Sequence, residues 1–367
     1  MKKVLYIGWI GYRNLGDELM FDLFKEHLST LGEDFSVDGV NIEHRYLKNI
    51  PIENYDLIVL GGGSILGGNN HYLHPYIIDY LYKCILLNKK IMIWGSGIDW
   101  GPKALIEQLE SSGNIPLALN ENLKAKIKAV FEESVWTGVR GPLTLALLKA
   151  HGVDKCHISG DPGFLMNVDQ LSKEDQVMIN LDFTDKQEKI IGVNWGTSFN
   201  NIYGGNEEQV EDQLVDALKQ LINQGYHIYL YTVWNTDLPA IERLYQKLND
   251  HKNVTFDKTL YNHNQLLSLN TKFILTINFK LHPNYISLAA NTPFIAFGYR
   301  FKIFDFAKSV DLEDFVISTD ETNISQQIQS KVSNIISDKS QIKTKMNEQL
   351  NYYRDKISEP FKNNLYL

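Results

Sequence analysis

Short apolar runs of strand length recur along this chain, and stretches of helical length separate them. "KVLYIG", "DLIVLGGG", "KIMIWGSG", "SVWTGV" and "CHISG" come first; after a gap follow "KIIGVNWG", "HIYLYTVW", "NVTF", "KFILTI" and "TPFIAFG". Runs that are apolar at nearly every position are buried on both faces, as in parallel sheets. Between them lie helices such as "LGDELMFDLFKEHLSTLG" and "GPLTLALLKAHG". The second has Pro142 near its start and Gly152 at its end, the usual asymmetry of helix ends. Strand alternating with helix predicts a doubly wound α/β sheet.

At 367 residues the chain exceeds the size at which one core stops growing. "KIIGVNWG" restarts the pattern that "KKVLYIGW" began, and the charged segment from Gln170 to Lys189 reads as the linker. The expected domains are residues 1–175 and 186–367, with a polar-faced C-terminal helix able to pack back on the first. Two such α/β domains facing each other put a cleft at the carboxyl ends of their strands, where ligands of open α/β sheets bind.

The composition excludes several classes. With 44% hydrophobic and 22% charged residues the chain is an ordinary globular one. Its net charge of −8 argues against general affinity for nucleic acid or an anionic membrane. Cys84 and Cys156 form no CxxC pair and are expected as buried free thiols. The first apolar stretch is too short for a signal peptide. "YIIDYLYKCILLNKKIMIWGSGI" is broken by Asp79, Lys83, Lys89 and Lys90, so it cannot supply the roughly 20 apolar residues of a membrane span. The expected location is the cytoplasm.

"GWIGYRNLGDELM" spaces its glycines as Gly8, Gly11 and Gly16, which is not GxGxxG. Gly11 and Gly16 have the spacing of a P-loop, but Asp17 and Glu18 stand where Lys and Ser or Thr are required. Two carboxylates suit a helix start and repel phosphate. The stretch therefore reads as a tight turn that brings Asn14, Gly16 and Asp17 to a neutral ligand with hydroxyls, or as a capped turn with no ligand. Two further strand ends are as rich in glycine: Gly61-Gly62-Gly63-Ser64, and Gly95-Ser96-Gly97 followed by Asp99. Glycine lets a backbone approach a ligand or another strand closely. Trp9, Tyr12, Trp94 and Trp100 lie at these ends and could stack on sugar rings, with core packing the equal alternative for Trp94.

Arg140 lies between a strand and the helix that Pro142 opens, placed to grip a carboxylate or phosphate; Asp161 is one partner it could pair with instead. In "FILTINFKLHPNYISLAANTPFIAFGYRFKIFDFA", Lys280 and His282 flank a helix start with Pro283 at its first position, where amides and dipole favour an anion. Lys302 and Asp305 begin the next segment. Surface lysines and a core histidine are the plainer reading. His71 and His74 are spaced for a metal, but no third ligand of fitting spacing stands nearby, and no metal or dinucleotide cofactor is expected.

Taken in order, "RNLGDE", "GGGSIL", "GSGID", "GVRGPLTLALLKAHGV", "SGDPGFL" and "KLHPNYISLAANTPFIAFGYRFKIFDF" resemble the polysaccharide pyruvyl transferase family along nearly the whole chain, to about residue 310. The resemblance implies two Rossmann-like domains of the glycosyltransferase-B-like kind. It also implies transfer of a pyruvyl group from phosphoenolpyruvate, a co-substrate, to two hydroxyls of a sugar, giving a ketal on a cell-surface polysaccharide or its lipid-linked precursor. A lipid-linked acceptor would allow loose association with the inner face of the membrane. Carried over, Asn14, Gly16, Asp17, Arg140, His282 and Lys302 match positions of the family's motifs; the chemistry of the residues themselves suggests His282 as the general acid and Asp17 as a catalytic carboxylate. Arg140, Lys280 and Lys302 bind the donor; Asn14, Gly16, Gly62, Gly63, Ser64, Gly97 and Asp99 line the acceptor side, Asp99 being a second choice of base. Lys280 stands where the family usually has arginine, keeping the charge without the fork. Two rivals share these features: a nucleotide-sugar-dependent glycosyltransferase using "NWGTSF" and "TVWNTD", and a non-catalytic glycan-binding relative.

Overall fold

The computed structural model describes residues 2–32, 35–67, 73–111, 121–179, 189–250 and 252–362. The chain divides into two compact units: Met1–Leu165 with Arg300–Asp311 and Asn351–Leu367, and Met166–Tyr299 with Leu312–Leu350.

The first unit contains β1 (Lys2–Gly8), α1 (Leu15–Ser29), β2 (Phe35–Asn41), α2 (His44–Leu47), β3 (Leu57–Leu60), β4 (Gly63–Gly67), α3 (Pro75–Leu86), β5 (Lys90–Ile98), α4 (Lys103–Ser111), α5 (Glu121–Glu133), β6 (Trp136–Val139), α6 (Pro142–Ala150) and β7 (His157–Ile158). Its strands are ordered β2-β1-β3-β5-β6-β7, with β4 beside β5, and the pairs are parallel. β3 is buried along its whole length, as is β1 from Val4 onward, the burial its unbroken apolar run predicts.

The second unit contains β8 (Ile190–Asn194), α7 (Glu207–Asn223), β9 (His227–Tyr231), α8 (Leu238–Leu248), β10 (Val254–Asp257), α9 (His263–Asn270), β11 (Leu275–Asn278), α10 (Leu281–Ala289) and β12 (Phe294–Gly298). α11 (Phe301–Ser309) belongs to the first unit, while β13 (Val316–Ser318) and α12 (Ile324–Ser337) complete the second. The strand order is β10-β9-β8-β11-β12-β13, all parallel. This is the Rossmann order, which reverses direction between its first and fourth strands, here β8 and β11.

Several expectations are refined. Part of the segment read as a linker is packed: Val177 donates its N–H to Ser268 Oγ at 3.1 Å in the second unit, while residues 180–188 lie outside the described residues. α13 (Lys339–Lys362) gives its residues to Leu350 to the second unit and the remainder to the first. There Trp94 donates Nε1–H to Ile357 O at 3.0 Å and packs on Phe24 and Phe361. Trp94 is therefore core and has no surface to offer a sugar. Cys84 is buried as expected, but Cys156 only partly. Among the described residues no helix is long and apolar enough to cross a membrane.

Candidate functional site

Each sheet has a switch point, where neighbouring strands leave in opposite directions and open a crevice at their carboxyl ends. In the first unit it lies between β1 and β3. The loop after β1 turns through Gly11 (φ 95°) and Arg13 (φ 53°). Asn14 caps α1, its side chain accepting from Gly16 N at 3.2 Å. The acidic pair then splits in function. Glu18 folds back to accept from Gly11 N at 2.7 Å and Arg13 N at 3.3 Å, fixing the loop.

Asp17 takes the other direction. A Cβ built on Gly63 would lie 3.3 Å from its carboxylate oxygen. Burial drives its pKa to about 7 against the pull of Lys302; Asp161, Glu18 and Asp99 push the same way as burial. A carboxyl that titrates near neutrality is suited to proton transfer.

The glycine-rich strand ends are explained by the protein's own side chains. Gly61 lies over the Tyr6 ring, Gly62 against Pro162 and Met20, and Gly97 over the Arg140 guanidinium; a Cβ at each would lie 2.1 to 2.5 Å from those atoms.

Arg140 is fully buried. Its Nη1 donates to Ser64 Oγ at 3.0 Å and Nη2 to Ile98 O at 2.6 Å, while Nε faces Asp305 at 3.7 Å. Its ion-pair partner is thus Asp305 rather than Asp161. Asp305 also accepts from Leu143 N, Thr144 N and Thr144 Oγ at 2.8, 3.1 and 2.6 Å, closing the start of α6. Asp161 is fully buried and accepts from Gly163 N at 2.9 Å. Burial raises its pKa to about 6, with Arg140 opposing.

Lys302, expected with the second half of the chain, belongs to the first unit. It pairs with Asp99 at 2.8 Å, and Arg300, which the sequence reading did not single out, pairs with the same carboxylate at 2.7 Å. Burial alone would raise Asp99; Lys302, Arg300 and Arg140 outweigh it and hold the carboxyl below its ordinary value. Asp99 thus holds a proton less readily than Asp17.

In the second unit the switch point lies between Asn194 at the end of β8 and Asn278 at the end of β11. Helix α10 begins two residues earlier than its proline suggested: Lys280 is the N-cap, and Pro283 is the third helical residue. Proline fits there because the first-turn amides have no intrahelical acceptor. Of the nine residues of α10, eight are buried; His282 keeps an exposed part. Beneath the helix, Asn278 donates to Thr276, Asn284 and Ser287 in a buried polar network. Lys280 donates to Thr197 O at 2.5 Å and pairs with buried Asp237 at 3.1 Å. Asp237 in turn accepts from Thr197 N at 3.0 Å, in a space that a Cβ on Gly196 would fill. "NWGTSF" and "TVWNTD" thus meet at this clip. His74 is described, while its spacing partner His71 lies outside the described residues.

The titration of Asp17 gives a first prediction. An unfolded aspartate ionises near pH 3.9, and the folded one near 7. The folded chain binds the extra proton in between, so this contribution to stability is complete below about pH 4 and is lost as pH rises through 7. Asp17→Asn, neutral throughout, should raise the melting temperature at pH 8 and change it little near pH 4. A difference that does not grow over that range counts against the assignment.

Comparison with known proteins gives two findings. The model of a family described as polysaccharide pyruvyl transferase matches residues 14–300. Solved structures match over the whole length. The S. aureus MnaA–UDP co-structure shares 14% identity, covering 100% of this chain and 96% of that one, with a TM-score of 0.63. UDP-GlcNAc 2-epimerase from Neisseria meningitidis bound to UDP-GlcNAc shares 11%, covering 100% of both chains, with a TM-score of 0.57. Glycyrrhiza uralensis UGT73P12, complexed with glycyrrhetinic acid 3-O-monoglucuronide, shares 11%, covering 100% and 95%, with a TM-score of 0.57. At such identities the likeness establishes the fold: two Rossmann-like domains of the glycosyltransferase-B-like kind. No curated protein matches the chain significantly.

Proposed function

The chain belongs to the polysaccharide pyruvyl transferase family, and from that premise we propose that it transfers a pyruvyl group from phosphoenolpyruvate to two hydroxyls of one sugar. The product is a cyclic ketal on a cell-surface polysaccharide or its lipid-linked precursor. The observation that carries this reading is His282: a partly exposed histidine, its ring Nε2 shielded from solvent, in the first turn of an otherwise buried helix at the switch point of a Rossmann-ordered sheet.

The donor carries a carboxylate and a phosphate. The amides opening α10, its dipole and Lys280 favour such an anion. Arg140 acts by holding Ser64 and the Ile98 carbonyl in place. His282, protonated, gives its proton to the methylene carbon of the donor, leaving an oxocarbenium-like centre at the neighbouring carbon. A sugar hydroxyl forms a C–O bond there and loses its proton to a general base. The C–O bond to phosphate then breaks, with phosphate taking the electron pair, and the second hydroxyl closes the ring, its proton passing to the departing phosphate. The balance is donor plus diol giving ketal plus phosphate, and neither step consumes a redox equivalent. The reaction belongs in the cytoplasm, with a glycan or lipid-linked sugar as partner and loose contact with the inner face of the membrane when the acceptor is lipid-linked.

Ligand stabilisation tests the choice of donor. Phosphoenolpyruvate at about 100 times its Kd should stabilise the fold by roughly 2.7 kcal/mol and raise Tm by a few degrees. UDP-GlcNAc and other nucleotide sugars should leave Tm unchanged. The reverse order would replace this reading with that of a conventional glycosyltransferase.

A further inference from the structure

A cavity of about 330 Å³ lies between α2 and α3, away from the residues assigned above. That is the lower end of the range for small-molecule sites. Its walls are of two kinds. Leu47, Ile52 and the rings of Tyr76 and Tyr80 form an apolar side, while Lys48 and Lys83 stand on the charged side. The carboxylate in the lining, Asp79, is already paired with Lys126 at 2.7 Å. Neither Lys48 nor Lys83 makes an ion pair among the described residues. The Tyr80 hydroxyl is shielded from solvent and has no hydrogen-bond partner among the described residues. In a protein of net charge −8 the cavity thus offers two lysines to an anion.

A string of contacts joins the cavity to the loop after β1. Trp9 and Tyr12 are 39% and 37% exposed, with ring centres 5.3 Å apart. Arg45 of α2 donates to the Tyr12 hydroxyl at 3.0 Å and covers the exposed Tyr46 ring at 4.9 Å. Its neighbour His44 meets Tyr76, in the cavity wall, at 6.2 Å. Exposed aromatic faces next to hydrogen-bonding groups suit sugar rings, which have an apolar face and a polar edge.

We infer that the α2–α3 cavity is a subsite for a negatively charged sugar unit of the acceptor glycan, reached along the Trp9–Tyr12–Tyr46 surface from the sugar that is modified. The ring rests on Tyr76 and the aliphatic wall, and the carboxylate pairs with Lys48 and Lys83. This rests on the reading of the chain as an enzyme of glycans, but not on its donor.

The test is binding of D-glucuronate and D-glucose to the full chain by NMR titration or calorimetry, without phosphoenolpyruvate. Glucuronate should bind saturably and at least tenfold more tightly than glucose. The double variant Lys48→Ala/Lys83→Ala, altered at exposed positions, should bring that ratio close to one. Equal affinity for the two sugars, or unchanged glucuronate binding by the double variant, overturns the subsite. Pyruvyl transfer to a neutral acceptor alongside such a failure would leave the proposed reaction standing; glucuronate binding without any pyruvyl transfer would do the opposite.

Discussion

His282→Asn lowers turnover roughly 10²–10⁴-fold while phosphoenolpyruvate binds within a few-fold of its original affinity. Asparagine keeps a polar group of similar reach but has no proton to give at neutral pH. The helix should tolerate the change, because the eight other residues of α10 are buried and carry its packing. Measured kcat together with donor Kd separates the outcomes. Turnover within threefold of the original removes the general-acid role. A lost donor affinity with normal kcat at saturation would make His282 a binding residue instead. Lys280, two residues earlier, is held by Thr197 and Asp237.

Asp305→Ala is the largest expected loss of stability. Its carboxylate accepts three hydrogen bonds at the start of α6 and faces Arg140, and both charged side chains are fully buried. Removing one partner of a buried pair leaves the other charge uncompensated, which costs roughly 3–5 kcal/mol. Chemical denaturation measures it directly. Asp305→Asn, which can still accept from the amides, should recover part of the loss. A cost below about 1 kcal/mol for the alanine variant would mean that Arg140 finds other compensation, and the account of α6 and Ser64 as a held frame would have to be abandoned. This variant also explains why Gly141 and Gly97 are glycines: Cβ atoms there would lie 2.4 Å from the Asp305 carboxylate and 2.5 Å from the Arg140 guanidinium.

The sequence exposes the fold where strands are buried on both faces. β1, β3, β5, β8, β9, β11 and β12 all appear as unbroken apolar runs. It hides the strands that lack such runs. β2 is half exposed and reads "FSVDGVN"; β4 is reached through Gly63 at φ 95°; β13 has only three residues. Their places at strand ends and helix starts drew attention to Asp17, Arg140, Lys280, His282 and Lys302, but spacing cannot say which way a side chain points. Arg140 reads as a free fork and is enclosed; Asp99 reads as a base and is held by two cations. Arg300 follows a strand end and was visible as a charge, yet its partner lies 201 positions away in the chain. Such partners are set by folding, not by local pattern.

The most direct test of the reaction is inorganic phosphate released from phosphoenolpyruvate on incubation with acceptor glycan, read together with the mass of the glycan. The account predicts release that depends on both substrates, one pyruvyl unit gained by the glycan per phosphate, and loss of both signals in His282→Asn. Phosphate released at the same rate without glycan, or a glycan that gains a sugar from a nucleotide donor and nothing from phosphoenolpyruvate, would contradict it.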